Sequence, residues 1–295
     1  MIDWEKSEKL PPDRRYFNIS IIWIFYFRYA IRLFYHLKIP HEVLTLLSIV
    51  SGAAAAVYFK NGLFIAGAVL LHIKDIFDAS DGAVARLTGR GHLIGRYLDS
   101  LGDFFVLHLV VIGIVIHAWQ DGRAVYVYWG TAALLSIFIQ CSFFNFYQLA
   151  YLKYFGIDRL SSKQDETARD DIDRDRYRGP ARILLAVFRG LYLVVFSWQD
   201  RLVAAVDRSL YRRAGMADTG DWYGDKLLMI LQSALCFGTH IFVIIVFAVF
   251  GHPEYSLIFI STFMNLYLVW LLLYRRYRLA VTRDRRSPGS RRALV

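Results

Sequence analysis

The sequence predicts an all-α integral membrane protein: six transmembrane helices, with an N-terminal amphipathic helix lying in the interface ahead of them. Three observations carry that prediction. Of 295 residues, 56% are hydrophobic. They gather in runs near the 20 residues that a bilayer crossing needs, at 41–59, 62–86, 95–118, 126–150, 227–250 and 255–274. The basic residues gather between the runs. With six spans, 32 of the 35 Lys and Arg residues fall on one side, against Lys60 and Arg123 on the other. That asymmetry follows the positive-inside rule, so the net charge of +10 reads as topology and no nucleic-acid partner is expected. Both termini are expected in the cytoplasm.

Residues 1–40 form a cytoplasmic segment, and Asp3, Glu5 and Glu8 argue against a cleaved signal peptide. Within it, residues 17–38 are apolar and aromatic but carry Arg28, Arg32, His36 and Lys38 on one stripe. This pattern suits a helix lying in the interface with Trp23, Phe25 and Phe27 in lipid. Pro40 ends it. The first span contains Thr45, Ser48, Ser51, Gly52 and four alanines, small residues that let helices approach closely. Lys60-Asn61-Gly62 turns the chain on the outer side, and the second span returns through His72, Lys74 and Asp75. Thr88-Gly89-Arg90-Gly91 reverses it again, and the third helix begins near His92. Tyr126, Tyr128 and Trp129 form an aromatic belt at the head of the fourth. There Gln140, Asn145 and Gln148 either line a head-group cavity or bond to neighbouring helices.

The stretch 151–226 is a cytoplasmic loop. Residues 158–178 alternate acids and bases and read as solvated chain, while 181–213 reads as an interfacial amphipathic hairpin with Trp198 at the lipid boundary. The last two spans, within 227–274, are joined by Gly251-His252-Pro253-Glu254, and 275–295 is a basic cytoplasmic tail suited to anionic lipid. Cys141 and Cys236 lie in separate apolar runs and read as packing residues, with no disulfide indicated.

The candidate site lies within 41–150. Asp78 and Asp81 stand three apart and Asp99 and Asp103 four apart, so each pair shares a helix face, and a short reversal brings the pairs together. Each Asp costs about 2.5 to 3.5 kcal/mol near the bilayer centre, and two divalent cations balance the four charges. Carboxylates suit hard ions such as Mg²⁺ or Mn²⁺, and paired ions suit phosphoryl chemistry. Gly82 and Gly95 allow a ligand close to the backbone, and the Arg86 guanidinium forks onto phosphate.

The spacing Asp78-x2-Asp81-Gly82-x2-Ala85-Arg86-x8-Gly95-x3-Asp99-x3-Asp103 resembles, at all eight specified positions, the signature of the CDP-alcohol phosphotransferase family. The resemblance implies a membrane-embedded transferase that joins an alcohol acceptor to a phosphate-bearing group from a CDP-linked donor, by analogy CDP-diacylglycerol, with release of CMP. It further implies two divalent cations on Asp78, Asp81, Asp99 and Asp103, with Asp103 as general base, and a nucleotide pocket shaped by Gly82, Ala85, Arg86 and Gly95. A homodimer is an assembly compatible with it. The family's Pro-Asn and nearby Thr at the start of the first span is replaced by Pro40-His41-Glu42-Val43-Leu44-Thr45, without the Asn and one residue longer, so no nucleotide contact is assigned there. Intramembrane prenyltransferases also hold Mg²⁺ on Asp clusters, but those clusters lie several helices apart. Cation or proton transporters favour broken helices and repeats, which this sequence does not show convincingly.

Overall fold

The computed structural model describes residues 4–7, 16–17, 24–89, 93–156, 177–214 and 222–286. Among them the regular elements are α1 (Trp4–Ser7), α2 (Ile24–His36), α3 (His41–Lys60), α4 (Phe64–Thr88), α5 (Leu93–Gln120), α6 (Tyr126–Tyr154) and α7 (Pro180–Ala214). After α7 come α8 (Lys226–Gln232), a 3-10 turn at Ser233–Leu235, α9 (Phe237–Val249), α10 (Pro253–Ser261) and α11 (Phe263–Arg286). Five helical stretches are long and apolar enough to cross a membrane: α3, α5, α6, α7, and α10 with α11 taken together; α8 and α9, bent by 49°, make a sixth as one broken span. The chain is a multi-pass, all-helical membrane protein. Trp23, His92, residues 157–176 and the tail beyond Arg286 lie outside the described residues.

α4 is missing from the apolar set because its 25 residues include Lys74, Asp75, Asp78, Asp81 and Arg86. It still runs the full depth of α3. Gly62 takes φ 76°, a conformation a side chain would resist, and the chain turns back within three residues. A Cβ on Gly67 would stand 3.0 Å from the Phe59 ring, one on Gly52 would stand 3.3 Å from the Lys74 stem, and Thr45 bonds Asp81. Steps of seven residues down α3 thus match steps of seven up α4, as an antiparallel helix pair requires. α5 then runs parallel to α3. A Cβ on Gly102 would collide with Ile49 at 2.6 Å, and one on Gly113 would lie 2.3 Å from the Ala56 carbonyl oxygen. The small residues of the first span work as packing residues, and the depth of α5 against α3 is tightly set.

Polar residues elsewhere in the bundle tie helices together. Gln140 of α6 donates to Asn265 at 2.7 Å and to the Ile260 carbonyl, His240 meets the Gln140 carbonyl oxygen at 2.7 Å, and Asn265 donates to Ser136 at 2.8 Å. Gln140, His240 and Asn265 therefore bond between helices. Gln148 bonds the Tyr16 hydroxyl. At the end of the bundle away from the Asp cluster, Arg123 and Glu254 tie the α5–α6 turn to the start of α10. Cys141 and Cys236 are free thiols.

Two expectations are corrected. Residues 181–213 form no hairpin: α7 is one helix of 35 residues. Arg189, Asp200 and Arg201 interrupt its apolar runs without interrupting its backbone, since charge is no helix breaker and the stretch after Pro180 holds no proline. Its partners lie towards the Asp-bearing end of the bundle. Tyr192 meets Tyr97, Phe196 meets Phe104, Gln199 accepts from Ser142 at 2.6 Å, and Asp207 accepts from Tyr147 at 2.8 Å. Over these 15 residues α7 rises about 22 Å while passing from the start of α5 to the end of α6, so it crosses the two helices instead of running along either. In α2, Phe27 does not face lipid. It is 7% exposed and packs by the His72 ring of α4, while Phe34 packs on Phe77.

The far end of α7 is anchored by Asp207, buried and accepting from the Tyr147 hydroxyl, the Trp222 indole N–H and the Tyr223 hydroxyl, each at 2.8 Å. Burial, and then the charge of Asp207, push the Tyr223 phenol well above its ordinary range, so it stays a donor. Arg275 of α11 stacks 3.8 Å from the Tyr147 ring centroid and donates to the Trp222 carbonyl. Asp207→Ala strands two buried donors, Tyr147 and Trp222, at about 1 to 3 kcal/mol each, together with the half-buried Tyr223. The expected result is a lower melting temperature in detergent, whereas Arg201→Ala, on an exposed position, leaves it nearly unchanged. Equal melting of the two variants would contradict the anchoring role.

Candidate metal centre

α4 ends at Gly89, whose φ of 65° is left-handed, and α5 starts at Leu93, so the two helices diverge from one point. Their facing turns bring Asp78 of α4 together with Asp99 and Asp103 of α5. One ligand oxygen from each lies within 4.8 Å of the others. All three carboxylates are only partly exposed. Oxygen donors converging at this spacing suit a hard divalent cation. The residues therefore fit a divalent metal ion.

Asp81, the fourth signature Asp, stands apart from that trio. It is 5% exposed, and its Oδ2 accepts a 2.6 Å hydrogen bond from Thr45 of α3. Thr45 is one residue that sequence reasoning passed over, because its distance from the family's Thr position discouraged any assignment. Its own hydroxyl also reaches the His41 carbonyl at 3.1 Å.

Lys74 is the second residue missed. It is fully buried, its ammonium bonds Asp103 Oδ1, and it lies 3.5 Å from Asp78 Oδ2. The signal was present: a lysine one helical turn before Asp78, on a helix read as a membrane span, requires carboxylate partners at that depth.

Of the other predicted residues, Gly82 and Arg86 are adjacent. A Cβ on Gly82 would lie 3.2 Å from an Arg86 guanidinium nitrogen, so the missing side chain gives the guanidinium its room. Arg86 Nε donates to the Ser7 carbonyl at 2.8 Å, which ties α1 to the site. Ala85 follows on α4, half-buried, and Gly95 is buried near the start of α5.

Residues 39–159 match the family model of the CDP-alcohol phosphatidyltransferases. That family comprises metal-dependent transferases of substituted phosphate groups that use a CDP-alcohol donor and an alcohol acceptor in a membrane. The matched segment runs from the residue before Pro40 through α3, α4, α5 and α6, and contains every residue of the Asp cluster. No curated protein and no solved structure matches the chain.

Proposed function

We propose that this chain, which carries a CDP-alcohol phosphatidyltransferase domain over residues 39–159 and is on that ground a transferase of substituted phosphate groups, takes CDP-diacylglycerol as donor and makes a phospholipid. The observation that carries the reading is the convergence of Asp78, Asp99 and Asp103 within 4.8 Å on two successive helices. In this reading two divalent cations, Mg²⁺ or Mn²⁺, are held by Asp78, Asp81, Asp99 and Asp103, with Asp81 shared between Thr45 and the metal. When bound, such ions neutralise the donor's diphosphate and polarise the phosphorus under attack.

The chain's own groups do the rest. Gly82, Ala85, Arg86 and Gly95 shape the pocket for the CDP moiety, with Arg86 supplying planar N–H donors to phosphate. Asp103 takes the proton of the acceptor hydroxyl as the oxygen attacks the phosphorus that bears the lipid. The phosphate–phosphate bond breaks and CMP leaves.

The site faces the cytoplasm, on the side to which 32 of the 35 basic residues fall. α2 and α7 lie there in the interface. The exposed Ile183, Val187, Leu191, Val194 and Trp198 recur at three- and four-residue steps along α7, as an apolar face turned to acyl chains would.

The test is an assay of the purified protein with radiolabelled CDP-diacylglycerol against a panel of alcohols. The expected result is stoichiometric CMP and one labelled phospholipid with one acceptor class. No lipid product with any alcohol would overturn the donor assignment.

A further inference from the structure

The signature residues account for four carboxylates and one arginine, but two further charged groups adjoin the cluster that neither the signature nor the proposed reaction assigns: Asp75, whose charge acts on Lys74 and Asp78, and Lys74 itself. Lys74 lies one turn before Asp78 on α4, and Asp103 one turn beyond Asp99 on α5. Because the helices converge at the Gly89 end, both lie on the side of the trio farther from that point. There the ammonium touches Asp103 Oδ1 and stands 3.5 Å from Asp78 Oδ2, so it bridges the helices beneath the metal-ligating oxygens.

Its pocket is closely fitted. The stem fills the space opposite Gly52, where a Cβ would come within 3.3 Å of Lys74 Cγ and 2.3 Å of Val106 Cγ1. The ammonium stands 5.2 Å from the centroid of the Phe237 ring of α9. Packing alone gives no reason for a charge here. A methionine has nearly the same shape, and replacing a buried ion by an apolar isostere is often neutral when its former partners find other compensation.

We infer that Lys74 is a positioning residue of the transferase site: a built-in cation that fixes Asp103 and Asp78 from below and competes with divalent cations for their oxygens. The inference rests on the metal reading of the Asp cluster proposed above. It assigns Lys74 two opposed effects. The fixed positive charge weakens divalent binding by Coulomb repulsion and by occupying Asp103 Oδ1. By holding that oxygen it also sets the direction from which Asp103 meets the acceptor hydroxyl. A residue that merely filled space would do neither, and losing it would weaken metal binding and turnover together through a loosened site.

The experiment uses the full-length protein in nanodiscs, stripped of metal and titrated with Mn²⁺ by electron paramagnetic resonance, with turnover measured at saturating Mn²⁺. Lys74→Met is expected to bind Mn²⁺ about tenfold or more tighter than wild type, because a unit charge within a few ångströms has been removed. Its turnover should fall about tenfold or more, because the Asp103 carboxylate has lost its orientation. Lys74→Arg keeps the charge and is expected to hold Mn²⁺ affinity within a few-fold of wild type. Lys74→Gln should repeat both shifts of the methionine variant and serves in its place if that variant does not fold. Unchanged or weaker Mn²⁺ binding in the folded uncharged variants, or unchanged turnover, would overturn the role of Lys74 while leaving the metal centre standing. A wild type that binds no Mn²⁺ would instead overturn the metal centre, and this inference with it.

Discussion

Asp103→Asn is expected to lower turnover by about 10² to 10⁴, the usual contribution of a positioned general base, while changing donor affinity far less. The amide keeps the shape of the carboxylate and can still meet Lys74 through its oxygen, so metal and CDP-donor binding should largely survive. What it loses is the capacity to accept the acceptor's proton. Asp78→Asn should behave differently. Asp78 lies within the trio whose oxygens gather within 4.8 Å, and losing its charge weakens metal binding and with it the clamp on the diphosphate. Calorimetric donor titration beside initial rates separates the two. Near-normal turnover in Asp103→Asn would remove it as the base. Equal loss of donor binding in both variants would make it another indispensable ligand.

The second large effect is expected on metal removal. Chelation should abolish turnover, and Mg²⁺ or Mn²⁺ should restore it, because the gathered carboxylates of Asp78, Asp99 and Asp103 repel a donor diphosphate unless divalent charge stands between them. The donor should also fail to bind the chelated protein, which distinguishes a lost clamp from a lost reaction step. Full turnover in excess chelator would contradict this.

The sequence revealed different parts of the molecule with different clarity, and the reasons are physical. The span-forming stretches were legible because length and apolarity suffice to read a membrane helix. The Asp cluster was legible because fixed spacing on a helix fixes a face. What stayed hidden depended on contacts between elements distant in sequence. Thr45 and Asp81 are 36 residues apart, and only the antiparallel packing of α3 on α4 joins them. Lys74 and Asp103 are 29 residues apart, and only the packing of α4 against α5 brings them together.

The unbroken α7 was missed for a related reason. Its charged residues suggested reversals, yet Asp207 serves as an acceptor for three aromatic donors drawn from two other segments. Phe27 was likewise placed in lipid because an aromatic on an amphipathic helix can face either lipid or protein, and only the position of His72 decides which.

Anomalous scattering from crystals grown with Mn²⁺ and a CDP-containing ligand shows whether the Asp cluster is the metal centre. The expected result is two Mn²⁺ ions held by Asp78, Asp99 and Asp103, with Asp81 contributing an oxygen while Thr45 stays in contact with it. Mn²⁺ bound elsewhere, or an Asp cluster that holds no ion when the CDP ligand is present, would contradict it.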